Sequence, residues 1–249
     1  TKIFIREPNM PSLQIKNKQL SKVKINLIKF LYKYADMIIA QTDEMKDDIF
    51  DSYGIKKKKI ITFNNPIDIN FINKSIKNSK NPFNKKFINV VASGRIINQK
   101  AYDILIESFR KVIDKNSNFR LYLLGEDVVG LKNELSLLVS KLKLDNYIVF
   151  KGFVDNPYAY YYHSDLFVLS SRWEGLPNVI LENLYLEKPI ISTNCISFLS
   201  DIIIDGKNGF IIPVDNSEKL AEKILNFRIL KPKNTYLPTD VNHFFNKYI

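Results

Sequence analysis

The chain has 249 residues, of which 45% are hydrophobic and 12% aromatic, so it can bury a core and does not have the composition of a disordered protein. No apolar run approaches the ~20 residues that a membrane-spanning helix needs. A single cysteine, Cys195, excludes an intrachain disulfide and favours a cytoplasmic location.

The chain is basic, with 37 Lys and Arg residues against 26 Asp and Glu residues and a formal net charge of +11. Such an excess is typical of proteins that bind nucleic acid or an anionic membrane, but a composition bias also produces it. Lysine is frequent everywhere, including in loops. No zinc finger, RNP sequence or GXXG loop is present, so we expect no nucleic-acid partner. An anionic membrane surface, on the inner face of the cytoplasmic membrane, stays a candidate partner.

The first 85 residues contain few predicted elements. Residues 23–34 form a basic amphipathic helix, which either faces a membrane or packs within the domain. A strand at 37–40, a helix at 44–50 and a strand at 60–63 follow. These elements are too few for a complete doubly wound domain, so residues 1–70 are predicted to be part of an N-terminal domain that continues before Thr1. Residues 71–86 are polar, contain Pro82 and are predicted to be a linker.

From residue 87 onward, strands and helices alternate strictly. Such alternation produces βαβ units, whose crossovers require parallel strands with helices on both faces of the sheet. We therefore predict an α/β, doubly wound, Rossmann-like domain over residues 87–228. Residues 229–249 are a tail that we expect to pack back on the N-terminal part. The predicted strands are 88–92, 121–124, 148–150, 166–169, 189–192 and 210–212, and the predicted helices are 101–113, 131–144, 158–163, 177–186 and 217–227.

Ligands of an open parallel sheet bind at the carboxyl ends of its strands, and one such end carries Gly94, Arg95 and Lys100. Gly94 lets the backbone come close to a ligand, and Arg95 offers a planar fork of donors for phosphate oxygens. Lys100 adds a positive charge near a helix N-terminus, where anions are favoured. These residues alone are a weak signal, because exposed Arg and Lys are common.

A second loop, residues 170–178, carries Glu174 and Gly175 and leads into a helix with Glu182. Pro177 suits a first helical position, so the free N–H groups of the first turn can face a pyrophosphate that Gly175 allows to approach. Glu182 lies among apolar residues and needs a partner. That partner is either a sugar diol, which donates two hydroxyls to a carboxylate, or a lysine. A third loop, 152–154, can offer backbone groups to a base edge.

Together, these residues resemble the donor-binding domain of the family-4 group of GT-B glycosyltransferases. The resemblance covers about residues 90–227 and continues weakly upstream. It implies a GT-B fold, in which the Rossmann-like donor domain is preceded by another Rossmann-like domain that is only partly present in this chain. Its six signals, in the family's order, are Gly94-Arg95 with Lys100, the turn 150–154, the segment 164–171, the E-x7-E pattern from Glu174 to Glu182, the segment 188–191 and the segment 205–210.

The resemblance implies a role for each residue of these loops. Arg95 and Lys100 would hold the donor pyrophosphate in place of the metal that other glycosyltransferases use, so we expect neither a metal nor another cofactor. Glu182 would bind the ribose, and Glu174 would contact the donor sugar near the reacting centre as the catalytic candidate. Backbone groups of Gly94, Gly175, Leu176, Pro177 and Asn178 would line the donor site, and Val154 would meet the base.

The function predicted on this basis is retaining transfer of a hexose or N-acetylhexosamine from a UDP-sugar to a lipid-linked or surface-glycan acceptor. The alternative is an N-terminally truncated donor-domain module that binds nucleotide and is inactive without an acceptor subunit. A GT-B sugar-nucleotide epimerase is a third hypothesis. The E-x7-E pattern and the absence of histidines from the motifs argue against it.

Overall fold

A computed structural model describes residues 2–18 and 20–233 of the chain. Its first part is a parallel sheet of three strands in the order β1-β2-β3. The elements of this part, in chain order, are β1 (Phe4–Arg6), α1 (Pro11–Lys16), α2 (Lys22–Tyr32), β2 (Met37–Ala40), α3 (Asp43–Tyr53) and β3 (Ile60–Thr62). The sequence did not predict β1 and α1, since three and six residues are too short to show a hydrophobic period.

Helix α3 shows how local chemistry sets the ends of a helix. The Thr42 side chain accepts a hydrogen bond from the Met45 N–H at 3.1 Å, and Asp43 and Glu44 stand in the first turn, where carboxylates are favoured. The helix ends at Gly54, which has the left-handed φ of 70° that a glycine adopts without steric cost. The helix buries Met45, Ile49 and Tyr53 against the first sheet.

The two sheets are connected through α4 (Ile69–Lys77), which begins after Asp68 caps the Phe71 N–H. The stretch 71–86 that composition marks as a linker therefore starts inside a helix. Ile69, Ile72 and Ile76 are at helical spacing in α4 and Ile72 is buried, but the exposed Asn and Lys residues between them gave the stretch the composition of a linker. The domain boundaries themselves stay predictions.

The second part is a six-stranded parallel sheet in the order β6-β5-β4-β7-β8-β9. Counted from β4, this is the strand order 3-2-1-4-5-6 of the Rossmann fold, which confirms the predicted doubly wound, Rossmann-like architecture. Its elements are β4 (Ile88–Ser93), α5 (Tyr102–Lys115), β5 (Phe119–Leu124), α6 (Lys132–Lys141), β6 (Ile148–Gly152), α7 (Pro157–His163), β7 (Leu166–Leu169), α8 (Asn178–Tyr185), β8 (Ile190–Thr193), α9 (Leu199–Ile202), β9 (Gly209–Ile212) and α10 (Ser217–Asn226).

Helices cover both faces of this sheet, and the strands are buried between them. In β4, Val90 points into the cluster formed with α5, α6 and α10, whereas Val91 points into the cluster formed with α7, α8 and α9. Successive side chains of a strand face opposite sides, so a strand buried on both faces reads as a continuous apolar run. This is why β4 and β7 were recognisable from sequence.

Apart from shifts of a few residues at the ends of other elements, three details differ from what the sequence predicted. Helix α8 begins at Asn178, and Pro177 is the extended residue before it, with ψ of 105°, rather than its first helical residue. The loop after β8 contains the short helix α9. After α10, Phe227 and Leu230 are buried, and the Lys231 N–H donates to the Lys207 carbonyl at 2.9 Å.

The beginning of the predicted tail thus contacts the second sheet's own domain. Most of that tail, from residue 234 on, lies outside the described residues. None of the helices in the described part is both long enough and apolar enough to cross a bilayer.

Candidate functional site

The loops that carry the predicted site residues meet at the carboxyl edge of the second sheet, where the strand order reverses between β4 and β7. The loop after β4 carries Gly94, Arg95 and Lys100, and the loop after β7 carries residues 170–177. Because β4 and β7 are hydrogen-bonded neighbours, residues about 75 positions apart in the chain lie together. This is the crevice in which open α/β sheets bind their ligands.

Lys100 and Glu174 form the centre of the site. The Lys100 Nζ lies 2.6 Å from Glu174 Oε1, and the two side chains are only 15% and 9% exposed. Gly94 makes this possible, because a Cβ at that position would lie 2.6 Å from the Lys100 Cε. The glycine of the first motif therefore leaves space for its lysine to reach the glutamate of the second.

Two residues that sequence reasoning missed also hold Glu174. The Ser171 hydroxyl donates to Glu174 Oε1 at 2.6 Å, and the Gln99 Nε2 lies 3.4 Å from Oε2. Gln99 also donates to the Trp173 carbonyl at 2.8 Å. The available signal was their position, directly before Lys100 and three residues before Glu174. The Glu174 carboxylate is thus fixed by an ammonium, a hydroxyl and an amide.

Arg95 stands apart from this network. Its side chain is exposed, and no hydrogen bond or ion pair joins its guanidinium to another described residue. A guanidinium without a protein partner keeps its whole fork of donors for an anion. Lys100 is already paired, whereas Arg95, at the same edge of the sheet, has no hydrogen-bond or ion-pair partner within residues 2–18 and 20–233.

Glu182 lies on α8 and is half-buried, with Tyr158 of α7 as its partner. The Tyr158 hydroxyl donates to Glu182 Oε1 at 3.3 Å. Burial raises the pKa of the Glu182 carboxyl, and the hydrogen bond from Tyr158 opposes part of that rise. Burial and the nearby Glu182 raise the pKa of Tyr158 to about 12, so it keeps its proton. The lysine partner that the sequence left open is not found among the described contacts of Glu182.

The residues after Glu174 are held by the N-terminal part of the chain. The Leu176 N–H donates to Gln41 Oε1 at 2.8 Å, and the Asn65 amide donates to the Leu176 carbonyl at 3.1 Å and to the Asn178 side chain. A Cβ on Gly175 would lie 2.3 Å from the Pro8 carbonyl oxygen. Sequence reasoning assigned these backbone groups to a phosphate site. In the structure, the Leu176 N–H is already bound by Gln41.

Val154, which follows β6, is the residue predicted to contact the base of the nucleotide. This side chain is half-buried and packs against the cluster of α7, α8 and α9. The strand before it ends at Gly152, whose φ of 70° is in the left-handed region. The Gly152 carbonyl accepts from the Gly125 N–H at 2.8 Å, which ties this turn to the end of β5.

The described residues bring together no group of three or more His, Cys, Asp or Glu side chains that could hold a metal ion. Cys195 lies near Lys100 and Glu174, and burial raises the pKa of its thiol to about 12. A protonated, buried thiol is a poor nucleophile. The chemistry that this edge can supply is binding by cations, carboxylates and backbone groups.

Comparison with known proteins supplies the family context of this arrangement. A family model described as "Glycosyl transferases group 1" matches residues 73–237. An uncharacterized glycosyltransferase of Methanocaldococcus jannaschii is 37% identical over 202 residues, which cover 78% of this chain and 48% of that protein. A Campylobacter jejuni enzyme is 30% identical over 224 residues, covering 89% of this chain and 59% of that protein. Its name is N-acetylgalactosamine-N,N'-diacetylbacillosaminyl-diphospho-undecaprenol 4-alpha-N-acetylgalactosaminyltransferase. This chain thus spans only part of the curated relatives that it matches.

Solved structures show the same fold. Anabaena HepE in complex with UDP and glucose has a TM-score of 0.78 at 20% identity, over 90% of this chain and 61% of that one. A Staphylococcus aureus TarM variant in complex with fondaparinux, alpha-GlcNAc-glycerol and UDP has a TM-score of 0.76 at 21% identity, over 91% and 43%. These similarities establish the α/β architecture of two parallel sheets that GT-B proteins have.

Proposed function

Because the chain belongs to the group 1 glycosyl transferases, we propose that it binds a UDP-sugar at the edge between β4 and β7. It transfers a hexose or N-acetylhexosamine, with retention, to a lipid-linked or surface-glycan acceptor. The observation that carries the proposal is the meeting of Lys100 with Glu174, with Arg95 on the same loop as Lys100 and Glu182 on the helix that follows Glu174. Retention of configuration follows from the resemblance to the family-4 group.

The proposed reaction leaves a nucleoside diphosphate, on which negative charge develops as the bond to the sugar breaks. Cations at that position stabilise the transition state electrostatically. Arg95 is free to bind the diphosphate, and Lys100 can share its ammonium between the diphosphate and Glu174. Glu174, held by three groups, is the candidate for contact with the donor sugar.

Glu182 is the candidate for the ribose. Its pKa is raised by burial, so an unliganded carboxylate there is costly and gains from two hydroxyl donors. Tyr158 donates to one of its oxygens and leaves the other for a hydroxyl. Uracil is proposed to lie near Val154. The UDP complexes of HepE and TarM support uridine as the nucleoside.

The acceptor class is proposed from relatives. The name of the Campylobacter jejuni enzyme specifies a diphospho-undecaprenol-linked acceptor, and that of a 24% identical Staphylococcus aureus relative specifies poly(ribitol-phosphate). Lipid-linked acceptors lie at a membrane surface. A peripheral position on the inner face of the cytoplasmic membrane is therefore part of the proposal.

Helix α2 is the surface proposed to contact that membrane. Its outer face carries Val23, Leu27 and Phe30 at helical spacing, 77%, 53% and 54% exposed. Lys22 and Lys29 flank this stripe, and no residue of α2 is fully buried. Exposed apolar side chains beside lysines are typical of helices that lie in the interface of an anionic bilayer.

Calorimetric titration of the chain with UDP, with GDP and ADP as controls, tests the donor assignment. We expect UDP to bind at least tenfold more tightly than GDP or ADP. Equal binding of all three nucleotides would contradict the uridine assignment, and no binding by the folded chain would contradict the donor site itself.

A second candidate function is a nucleotide-binding module whose transfer reaction needs a separate acceptor-side partner. In the described residues the first sheet has three strands and the second has six, so the acceptor-side part supplies fewer elements than the donor-side part. Radiolabelled transfer assays with a lipid-linked acceptor distinguish the two candidates. Nucleotide binding together with transfer by this chain alone supports the first, and binding without transfer supports the second.

A further inference from the structure

A cavity of about 800 Å³ lies beside the loop of Glu174, in the layer of α5 and α6. Glu182 belongs to α8 in the opposite layer, and neither Arg95, Lys100, Glu174 nor Glu182 lines this cavity. The volume is within the range of roughly 300–1,000 Å³ for small-molecule sites. The cavity is therefore a second potential site, next to the proposed donor site and distinct from it.

The charges in the cavity exclude an anionic ligand. Among the described residues that line it, Arg172 is the one cation, and every nitrogen of that guanidinium already has an acceptor. Nε lies 2.7 Å from Asp215, Nη2 lies 2.6 Å from Asp103, and Nη1 donates to both oxygens of Asn98. Asp103 and Glu134 also line the cavity, so carboxylates outnumber cations. A phosphate or nucleotide would meet repulsion and no free donor fork.

Several lining groups remain available for a neutral, hydroxylated ligand. The Glu134 carboxylate and the Asn17 side chain are exposed, and neither is hydrogen-bonded or ion-paired within the part of the chain that the structure describes. The Asn98 amide uses its oxygen for Arg172 and keeps its two N–H donors. These groups offer both donors and acceptors, which is the combination that hydroxyl groups require.

Trp173 supplies an apolar surface in the same cavity. Its indole is half-buried, and aliphatic side chains of the 97, 129, 131 and 135 positions stand beside it. A large flat ring can pack against the apolar face of a pyranose while the hydroxyls at the ring edge reach polar groups. Trp173 directly precedes Glu174, and Gln99 joins both residues by hydrogen bonds.

We infer that this cavity binds a segment of a neutral oligosaccharide, two or three residues of a glycan, beside the proposed transfer site. The choice of a glycan over another neutral polyol rests on the proposed function. Binding of the oligosaccharide does not itself rest on the proposed function, since it needs no nucleotide and no transfer reaction. Trp173 and Gln99 would connect an occupied cavity to Glu174.

The chain has one tryptophan, so its fluorescence reports on this cavity directly. The full chain is titrated with maltotriose, cellotriose and triacetylchitotriose up to about 10 mM, a concentration at which even millimolar affinities are visible. Emission and heat are recorded in parallel. We expect a saturable change with at least one trisaccharide. Absence of a saturable signal with all three overturns the inference.

Three variants of lining residues test whether the trisaccharide binds in the cavity. Glu134→Ala and Asn98→Ala are expected to weaken trisaccharide binding about five- to tenfold each, the loss of one or two hydrogen bonds. Trp173→Phe, followed by calorimetry, should weaken it comparably. The control is Glu107→Ala, which removes an exposed carboxylate of α5 that does not line the cavity. Binding that survives all three cavity variants unchanged overturns the inference.

A UDP titration of the same samples separates this inference from the proposed function. Normal UDP binding without trisaccharide binding overturns the cavity assignment alone. Trisaccharide binding that is sensitive to Glu134→Ala, in a chain that does not bind UDP, supports the cavity and contradicts the donor site. Thermal unfolding of each variant shows that the lost binding is not lost folding.

Discussion

The ammonium of Lys100 and the carboxylate of Glu174 are 2.6 Å apart and almost fully buried, although 74 positions separate them in the chain. Each belongs to a different predicted motif. The pair places a cation and an anion where the proposed pyrophosphate and sugar would lie, so the ligand would enter a site whose charges already balance.

Breaking this pair from one side should be costly. Lys100→Met leaves Glu174 buried with only neutral donors, so we expect a loss of about 3 kcal/mol in the free energy of unfolding. The double variant Lys100→Met/Glu174→Gln should lose less than the sum of its single changes. Urea unfolding of the four proteins measures the coupling.

The matched control for that cycle is the Lys219–Glu222 pair, in which each side chain is 46% exposed. Lys219→Met should cost about 0–1 kcal/mol, as exposed ion pairs do. Equal losses in the free energy of unfolding for Lys100→Met and Lys219→Met would mean that the buried pair stabilises the fold no more than an exposed pair does.

The two glutamates of the E-x7-E pattern should separate binding from transfer. Glu182→Ala removes the proposed acceptor for the ribose hydroxyls and should weaken UDP binding about tenfold, from one or two hydrogen bonds to a charged group. Glu174→Gln should leave UDP binding within about threefold and lower the transfer rate by about a hundredfold or more.

Calorimetry with UDP and a transfer assay with the UDP-sugar measure the two effects. Glu107→Ala, an exposed carboxylate away from this edge, is the control. A Glu182→Ala protein that binds UDP normally would show that the ribose site is elsewhere.

Gly175 is predicted to be irreplaceable for a steric reason. A Cβ there would come within 2.3 Å of the Pro8 carbonyl oxygen, which is backbone and cannot rotate away. Gly175→Ala should therefore destabilise the protein by about 1–3 kcal/mol and separate the N-terminal segment from the loop. Gly130→Ala, at a φ of 79° and with no atom within 4 Å of the new Cβ, carries the strain of a left-handed residue without a steric clash, so it should leave proteolysis of the N-terminal segment unchanged. Limited proteolysis of the N-terminal segment would be unchanged in Gly175→Ala if the contact were dispensable.

The hydrogen bonds between the two parts of the chain should also be measurable. Gln41→Ala leaves the Leu176 N–H buried without its acceptor, which we expect to cost about 1–3 kcal/mol. Because the same loop leads to Asn178 and Glu182, UDP binding should weaken as well. Chemical unfolding and UDP titration of Gln41→Ala are compared with those of Gln14→Ala, whose half-buried side chain lies on α1. Identical behaviour of the two variants would contradict a role for Gln41.

A buried carboxyl in the first domain gives a pH dependence with a definite sign. Glu7 is 4% exposed and accepts from the Tyr32 hydroxyl at 2.7 Å, and burial raises its pKa above 4.5. The folded chain therefore binds this proton more tightly than the unfolded chain. The stability so gained is complete below pH 4.5 and is lost as pH rises through the folded-state pKa.

Glu7→Gln keeps the acceptor for Tyr32 and removes the titration. The free energy of unfolding of the variant, relative to the parent, should therefore rise with pH above 4.5. Urea unfolding across this pH range checks the slope. A constant difference between the two proteins would contradict a raised pKa for Glu7.

The membrane proposal predicts a salt-sensitive interaction of α2. The chain should sediment with vesicles that contain about one third anionic lipid and not with neutral vesicles. Replacing Lys22, Lys24 and Lys29 by Gln should abolish this, at about 1 kcal/mol for each lysine. Replacing Lys132, Lys141 and Lys143, on and after α6, is the control with the same loss of charge. An equal loss of vesicle sedimentation in both triple variants would show that the net charge of the chain, and not α2, determines membrane binding.

The sequence by itself determined the second sheet and the identity of the candidate donor residues. Strand and helix periods are local properties, so β4 and β7 could be predicted from their apolar runs. The spacing of Glu174 and Glu182 identified the E-x7-E motif. The strand β1 was not predicted because three residues are too few to show a period, and α4 was not predicted because its Asn and Lys residues gave the stretch the composition of a linker.

Only the tertiary structure decided which groups are free and which are occupied. That Lys100 is paired, that Gln41 binds the Leu176 N–H and that Trp173 lines a cavity all depend on contacts between distant segments. Gln41 and Leu176 are 135 positions apart and lie in loops that follow strands of different sheets. A hydrogen bond between them is set by how the two sheets pack, and local sequence carries no period or spacing that encodes it.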